Sequence, residues 1–230
     1  MSGASLAAGL FLVVLGYLIG SVPWGLLIGK FNGLDIRKHG SHNIGATNVR
    51  RVLGRDWGIL CFVLDCGKGL VPVLIASHYA AGDTATVSGL VPVFASAAAV
   101  AGHVWPCWIG FKGGKGVATS IGALVALAPL PVVLALLTWL GVFYSLHVVS
   151  LASLSAALML PVSAVVLRLC GRAEPNGPTI FLLVTLAALI VIRHKENVKR
   201  LRAGTELAFA RKKHDDQATE QTEAPEEPKQ

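Results

Sequence analysis

Charge is scarce in this sequence: of 230 residues only 14% are Asp, Glu, Lys or Arg, while 53% are hydrophobic, and the mean hydropathy is +0.63. A soluble domain of this length needs more charge than that to cover its surface, so the composition points to a membrane. Cysteine is equally sparse. Cys61, Cys66, Cys107 and Cys170 have neither metal-ligand spacing nor an extracellular cysteine-rich context, which excludes a disulfide framework and suggests no metal site. No Lys or Arg precedes Leu6, and the first apolar run continues past the usual length of a signal core. It reads as a retained span rather than a signal peptide.

Polar alternation is the next thing missing. Leu6 to Ile28, Trp57 to Ser77, Thr84 to Trp108 and almost all of Val117 to Leu167 are continuous apolar runs. A membrane β-barrel needs short alternating segments, whereas a spanning helix needs about 20 apolar residues, so the runs predict helices. The net charge of +7 raises the question of nucleic acid, but the basic residues cluster in loops rather than along an aromatic-studded face. The positive-inside rule accounts for them, and no nucleic-acid partner is expected.

Loop charge sets the expected topology. The segment from Lys30 to Asp56 carries Lys30, Arg37, Lys38, Arg50, Arg51 and Arg55, and the connection near Ala81 to Thr84 carries no basic residue. The first loop is therefore expected in the cytoplasm and the N-terminus outside. The basic stretch from Arg193 to Lys213 should be cytoplasmic as well, which requires an odd number of spans. Pro129, Pro131 and the polar cluster Tyr144, Ser145 and His147 divide the 117–167 stretch. The expected fold is an all-α integral membrane bundle of seven transmembrane helices near 5–29, 57–79, 84–107, 117–128, 130–146, 149–169 and 178–192, with five as the fallback count. Arg168 and Arg172 fall on an outside loop in this scheme, against the rule. Residues 1–213 are read as one membrane-embedded domain, and residues 214–230, rich in Asp, Glu, Gln, Thr and Pro, as a disordered cytoplasmic tail.

Two loops have the composition of phosphate sites. Gly40 to Asn48 is a run of small and hydrogen-bonding residues followed closely by Arg50 and Arg51; small residues let backbone N–H groups approach an anion, and guanidinium groups hold phosphate oxygens in pairs. Composition alone reads equally well as an ordinary Gly-rich loop on the positive side. Phe111 to Thr119, FKGGKGVAT, is a glycine turn feeding a predicted helix N-terminus, a general anion site. It is not a Walker motif, because Gly116 stands where Ser or Thr should follow the lysine. A third segment, Arg193 to Asn197, puts His194 and Asn197 three apart on one helix face, although a basic juxtamembrane stretch against anionic lipid explains it too.

Two further features call for a decision. Asp65 and Lys68 lie inside the second run, where mutual pairing is the expected state. His78 and Asp83 match the HxxxxD signature of acyl-CoA-dependent glycerolipid acyltransferases. They fall on the outer side by the topology above, in a connection without basic residues, and the match reads as coincidence. A transporter of phosphorylated anions would show inverted repeats, and no convincing repeat is present.

Taken together, GSVPWG at 20–25, DIRKHGSHNIGATNVRRVLG at 35–54, GHVWP at 102–106, FKGGKGVATS at 111–120 and RHKENVKRLRAGTE at 193–206 resemble the bacterial acyl-phosphate:glycerol-3-phosphate acyltransferases, the PlsY family. The resemblance runs in order from about Gly20 to Glu206, with His42 where the family string usually has glycine. It implies a seven-helix enzyme of the bacterial inner membrane, its active site cytoplasmic. The implied reaction transfers a fatty acyl group from acyl phosphate to the 1-hydroxyl of glycerol 3-phosphate, giving lysophosphatidic acid for phospholipid synthesis. No metal or other cofactor is implied, and the acyl phosphate would be handed over by the enzyme that forms it. By the same resemblance Ser41, His194 and Asn197 are the catalytic candidates. Ser41, Thr47 and Asn48 match the loop holding the acyl-phosphate head, Arg51 and Lys115 the grip on glycerol 3-phosphate, Ser150 a further contact, and Gly113, Gly114 and Gly116 the turn.

Overall fold

Prolines and small residues decide where the apolar runs break. A computed structural model describes residues 3–81 and 88–209, and all the regular structure among them is helical. Helix α1, Gly3–Gly20, is followed by a break in which the Ser21 hydroxyl donates to the Tyr17 carbonyl at 2.8 Å and Pro23 supplies no N–H. The chain resumes as α2, Trp24–Phe31. Short α3, Ala46–Leu53, turns at Gly54 into α4, Arg55–Ala81, which is 27 residues long. Beyond residues 82–87 come α5, Val91–Val104, and α6, Val117–Val125. Pro129 opens α7, Pro129–Leu146, and α8, Val149–Leu169, starts after two residues. Helix α9, Gly177–Arg193, is capped by the Asn176 side chain accepting from Thr179 N–H, and α10, Lys195–Arg202, leaves it at an angle of 56°.

Five of these segments are long and apolar enough to cross a membrane: Leu6–Phe31, Arg55–Ala81, Val91–Ile109, Pro129–Leu146 and Val149–Leu169. The bent α9–α10 pair makes a sixth. The predicted 117–128 span is present as the nine residues of α6, about 14 Å of helix. Asp83 and the 214–230 tail lie outside the described residues.

Packing obeys the membrane rule that small residues let helices approach. Helix α1 lies along α5, α4 along α6, and α7 along α8. A Cβ on Gly69 would strike the Thr119 carbonyl and one on Gly122 the Cys66 carbonyl, so α4 and α6 touch backbone to backbone. The main core joins Val73, Val100, Val104, Leu124, Leu160 and Leu183. Large apolar side chains such as Phe11, Leu137, Leu158 and Phe181 face outward, as a lipid-facing belt requires. A second cluster, Leu26, Ile28, Ile36, Ile44, Val49 and Cys61, anchors the first long loop onto α2 and α4.

Candidate functional site

The first loop is built around one amide. Asn48, 1% exposed, sits in the first turn of α3. Its Nδ2 donates to the carbonyls of Ile36 (3.2 Å), His39 (3.1 Å) and Asn43 (2.8 Å), and its Oδ1 accepts from Ser41 N–H at 2.8 Å. These bonds fold residues 36–48 onto the start of α3. A side chain at Gly40 would collide with the Asn48 Oδ1. Asp35 closes the other end: it accepts from Arg37 N–H at 3.0 Å and pairs with the Arg37 guanidinium at 2.7 Å. The bond from the Arg37 side chain holds its carboxyl well below the usual carboxylate range. His42 has φ +58°, a backbone region that favours glycine, and its Nδ1 lies 3.0 Å from the Arg37 carbonyl.

The second loop is fixed by glycine contacts. Gly113 N–H donates to the Val104 carbonyl at 3.2 Å and Gly114 N–H to the His103 carbonyl at 3.1 Å, so the turn folds back on the end of α5. A Cβ on Gly114 would run into the His103 ring. Arg193, at the end of α9, donates to the carbonyls of Gly114 (3.3 Å) and Gly113 (3.2 Å). Gly116, at φ +86°, then starts α6. The result is to turn Lys115 inward.

A third group comes from the α9–α10 break and from α10 with the turn beyond it. His194 is 3% exposed; its Nδ1 lies 2.8 Å from the Ile190 carbonyl and therefore carries the proton, leaving Nε2 as an acceptor. Asn197 accepts from Lys115 Nζ at 2.6 Å and donates to Glu206 Oε1 at 2.5 Å. Arg200 Nε donates to Glu206 Oε2 at 2.7 Å. Gly204, at φ +68°, reverses the chain so that Glu206 can return beneath α10. Burial pushes the Glu206 carboxyl up, but the bonds from Asn197 and Arg200 help to outweigh it and leave its pKa lowered. The Lys115 ammonium is pulled down to about 8, chiefly by burial; Glu206 opposes the shift, and Arg200, Arg51 and Arg193 add to it.

These groups line one cavity of about 390 Å³, within the size range of small-molecule sites. Of the residues expected from sequence, Ser41, Thr47, Asn48, Arg51, Lys115, Gly116, Ser150, His194 and Asn197 meet there. Gly113 and Gly114 lie behind it as the turn that aims Lys115. Sequence reasoning gave no place in the site to Arg200, Glu206 or His103, and gave Asp65 only its pairing with Lys68; all four also line the cavity. The expected Asp65–Lys68 pair is present at 2.7 Å, with His103 Nδ1 at 3.7 Å and the Lys68 ammonium donating to the Val22 carbonyl at 2.8 Å. Phe62, Ile121, Leu136, Trp139 and Leu140 add an apolar wall to the same cavity, and the Trp139 indole donates to the Ser153 hydroxyl at 3.2 Å. Among the described residues no three His, Cys, Asp or Glu side chains converge as metal ligands would. Cations and an apolar wall lining one cavity suit an amphiphilic anion.

Comparison with known proteins agrees with this chemistry. A family model for glycerol-3-phosphate acyltransferase matches residues 10–204. The chain is 45% identical over 201 residues to a glycerol-3-phosphate acyltransferase of Geotalea daltonii, covering 87% of this chain and 97% of that one. It is 42% identical over 200 residues to that of Aquifex aeolicus, covering 87% and 98%. Two solved structures of PlsY, an integral membrane glycerol 3-phosphate acyltransferase, superpose on it. The glycerol 3-phosphate form gives a TM-score of 0.80 at 41% identity, and the lysophosphatidic acid form 0.77 at 40%; each match covers 88% of this chain and 96% of the other.

Proposed function

Since the chain belongs to the glycerol-3-phosphate acyltransferase family and is a multi-pass membrane acyltransferase of phospholipid biosynthesis, we propose that its cavity transfers a fatty acyl group from acyl phosphate to the 1-hydroxyl of glycerol 3-phosphate. The products are lysophosphatidic acid and phosphate. The observation that carries this reading is the meeting of both basic loops in one cavity that also has an apolar wall: two phosphorylated substrates need two sets of cations, and the acyl chain needs a greasy surface. The relatives solved in glycerol 3-phosphate and lysophosphatidic acid forms support the acceptor and the product.

In this proposal the hydroxyl oxygen attacks the acyl carbonyl, the carbonyl–phosphate bond breaks, and phosphate leaves with its electron pair. Ser41, Thr47 and the N–H groups of Ala46 and Thr47 hold the acyl-phosphate head; these two N–H groups open α3 and have no acceptor within the helix, whereas those of Asn48 and Val49 already donate to the Gly45 carbonyl. Asn48 spends its amide on the loop's backbone and works by positioning. Arg51 and Lys115 grip the glycerol 3-phosphate phosphate, Ser150 adds a contact, and Glu206 holds Asn197 and Arg200 in place. His194 offers Nε2 to the attacking hydroxyl. In this reading His194 orients the attacking hydroxyl through Nε2, and an oxygen of a substrate phosphate takes the proton. Catalysis then rests on positioning and charge neutralisation.

Seven crossings, with the N-terminus outside and the cavity facing the cytoplasm of the inner membrane, complete the proposal. Lys115 at the start of α6 and Ser150 just after α7 line the same cavity. Helix α7 thus returns to the face that α6 leaves, which supports counting α6 as a short crossing. An acyl-phosphate-forming enzyme would hand its product over at this face.

The experiment supplies purified protein with glycerol 3-phosphate and, in turn, palmitoyl phosphate, palmitoyl-CoA and palmitoyl-acyl carrier protein. Lysophosphatidic acid is expected only with the acyl phosphate, and product only with the thioesters overturns the assignment.

A further inference from the structure

After Gly204 the chain does not leave the protein. Thr205 N–H donates to the Arg200 carbonyl at 2.9 Å, and Phe209 N–H donates to the His147 carbonyl at 3.1 Å, so residues 205–209 form a strap from α10 to the α7–α8 connection. Leu207, in the middle of the strap, lines the cavity. At its far end the Phe209 ring lies 4.7 Å from the Arg50 guanidinium carbon and 5.5 Å from that of Arg51. The same ring meets Phe143 edge-on at 6.4 Å between centroids, so it is braced by α7 while it touches the cations of α3. The family match ends at residue 204, so this ring lies beyond the residues the family model matches.

Two adjacent guanidinium groups repel each other, and long arginine side chains lose freedom when held. An aromatic face attracts cations within about 6 Å and offers them no hydrogen-bond acceptor, so the donors stay available for phosphate. A carboxylate in the same place would compete with the substrate. We propose that Phe209 is a positioning residue: its ring holds Arg51, with Arg50, at the cavity edge and so prepares the grip on the glycerol 3-phosphate phosphate. This rests on the reading of Arg51 as a phosphate ligand.

The test is steady-state kinetics of the purified full-length enzyme with palmitoyl phosphate and varied glycerol 3-phosphate. Phe209→Ala is expected to raise KM for glycerol 3-phosphate roughly five- to tenfold, the size of one or two lost cation–π contacts, with kcat changed less than about twofold. Phe209→Tyr, which keeps the π face, restores the KM. Phe209→Leu, which keeps apolar bulk alone, does not. Rescue by leucine as complete as by tyrosine overturns the proposal in favour of plain packing. An unchanged KM in Phe209→Ala, with Arg51→Ala raising it, overturns the role of Phe209 alone; an unchanged KM in Arg51→Ala overturns both this role and the phosphate grip beneath it.

Discussion

Burial of Lys115 beside Arg51, Arg193 and Arg200 sets the pH at which the cavity loses positive charge. The ammonium pKa is lowered to about 8, so the charge is fully present below that pH and is lost as pH rises through it. For a phosphate ligand the consequence is direct: kcat/KM for glycerol 3-phosphate, which reports the free enzyme, should hold through neutral pH and fall above about 8. Lys115→Arg keeps its charge far into alkali and should lower activity through its different shape while moving the alkaline limb up by about a unit or more. Identical limbs in the two proteins would remove Lys115 from the titration. His42 shows the residue scale in another way. It occupies a left-handed backbone position, and its Nδ1 contact with the Arg37 carbonyl helps to hold a conformation that costs a non-glycine residue about 1 kcal/mol or more.

Among the elements, loop one with α3 is the one whose shape hangs on a single side chain. Asn48→Asp keeps an acceptor for Ser41 N–H but replaces the donor to the Ile36, His39 and Asn43 carbonyls with negative charge. Asn48→Ala removes all four bonds but adds no charge. Each buried partner left without a bond costs about 1 to 3 kcal/mol. Both variants should therefore lose at least about tenfold in kcat/KM, and the aspartate should melt lower than the alanine in a thermal scan in detergent. An aspartate as stable as wild type would mean the amide is not the hub. That residues 40–51 contribute to the cavity was half legible in sequence, because small residues and arginines suit a phosphate site and an ordinary Gly-rich loop equally well. The hub was not, since Asn48 reads as one more polar loop residue until the carbonyls of 36, 39 and 43 are brought around it. Glu206 stayed hidden for the same reason: its partners Asn197 and Arg200 are near in sequence, but only the turn at Gly204 brings the chain back to them. Helix ends marked by proline, such as Pro129 and Gly177–Pro178, were legible to within a residue or so. The break at Ser21–Pro23 was passed over because apolar residues continue on both sides.

At the scale of the whole molecule, composition alone placed the chain in a bilayer, while the number of crossings depends on a nine-residue helix that no length rule would accept. Most of α6 is buried among its neighbours, so its ends need not reach lipid headgroups. Cysteine labelling of intact cells, in a background with the four native cysteines replaced, should modify Glu174→Cys from outside and Phe111→Cys only after permeabilisation. Labelling of both from the same side would break the seven-crossing order.

Asp65 stands eight residues inside the apolar stretch that begins at Trp57, about 12 Å along α4, and it lines the cavity. With α4 crossing a membrane, the cavity therefore reaches into the apolar depth of that crossing. In the proposed reaction a long-chain acyl phosphate resting in the leaflet already has its tail at that depth and need not be hauled out into water. Exposing even five methylenes on the way would cost about 4 kcal/mol, a toll of roughly a thousandfold in productive encounters. Under that proposal the donor is met where the membrane already keeps it, and only the small, water-soluble acceptor has to travel.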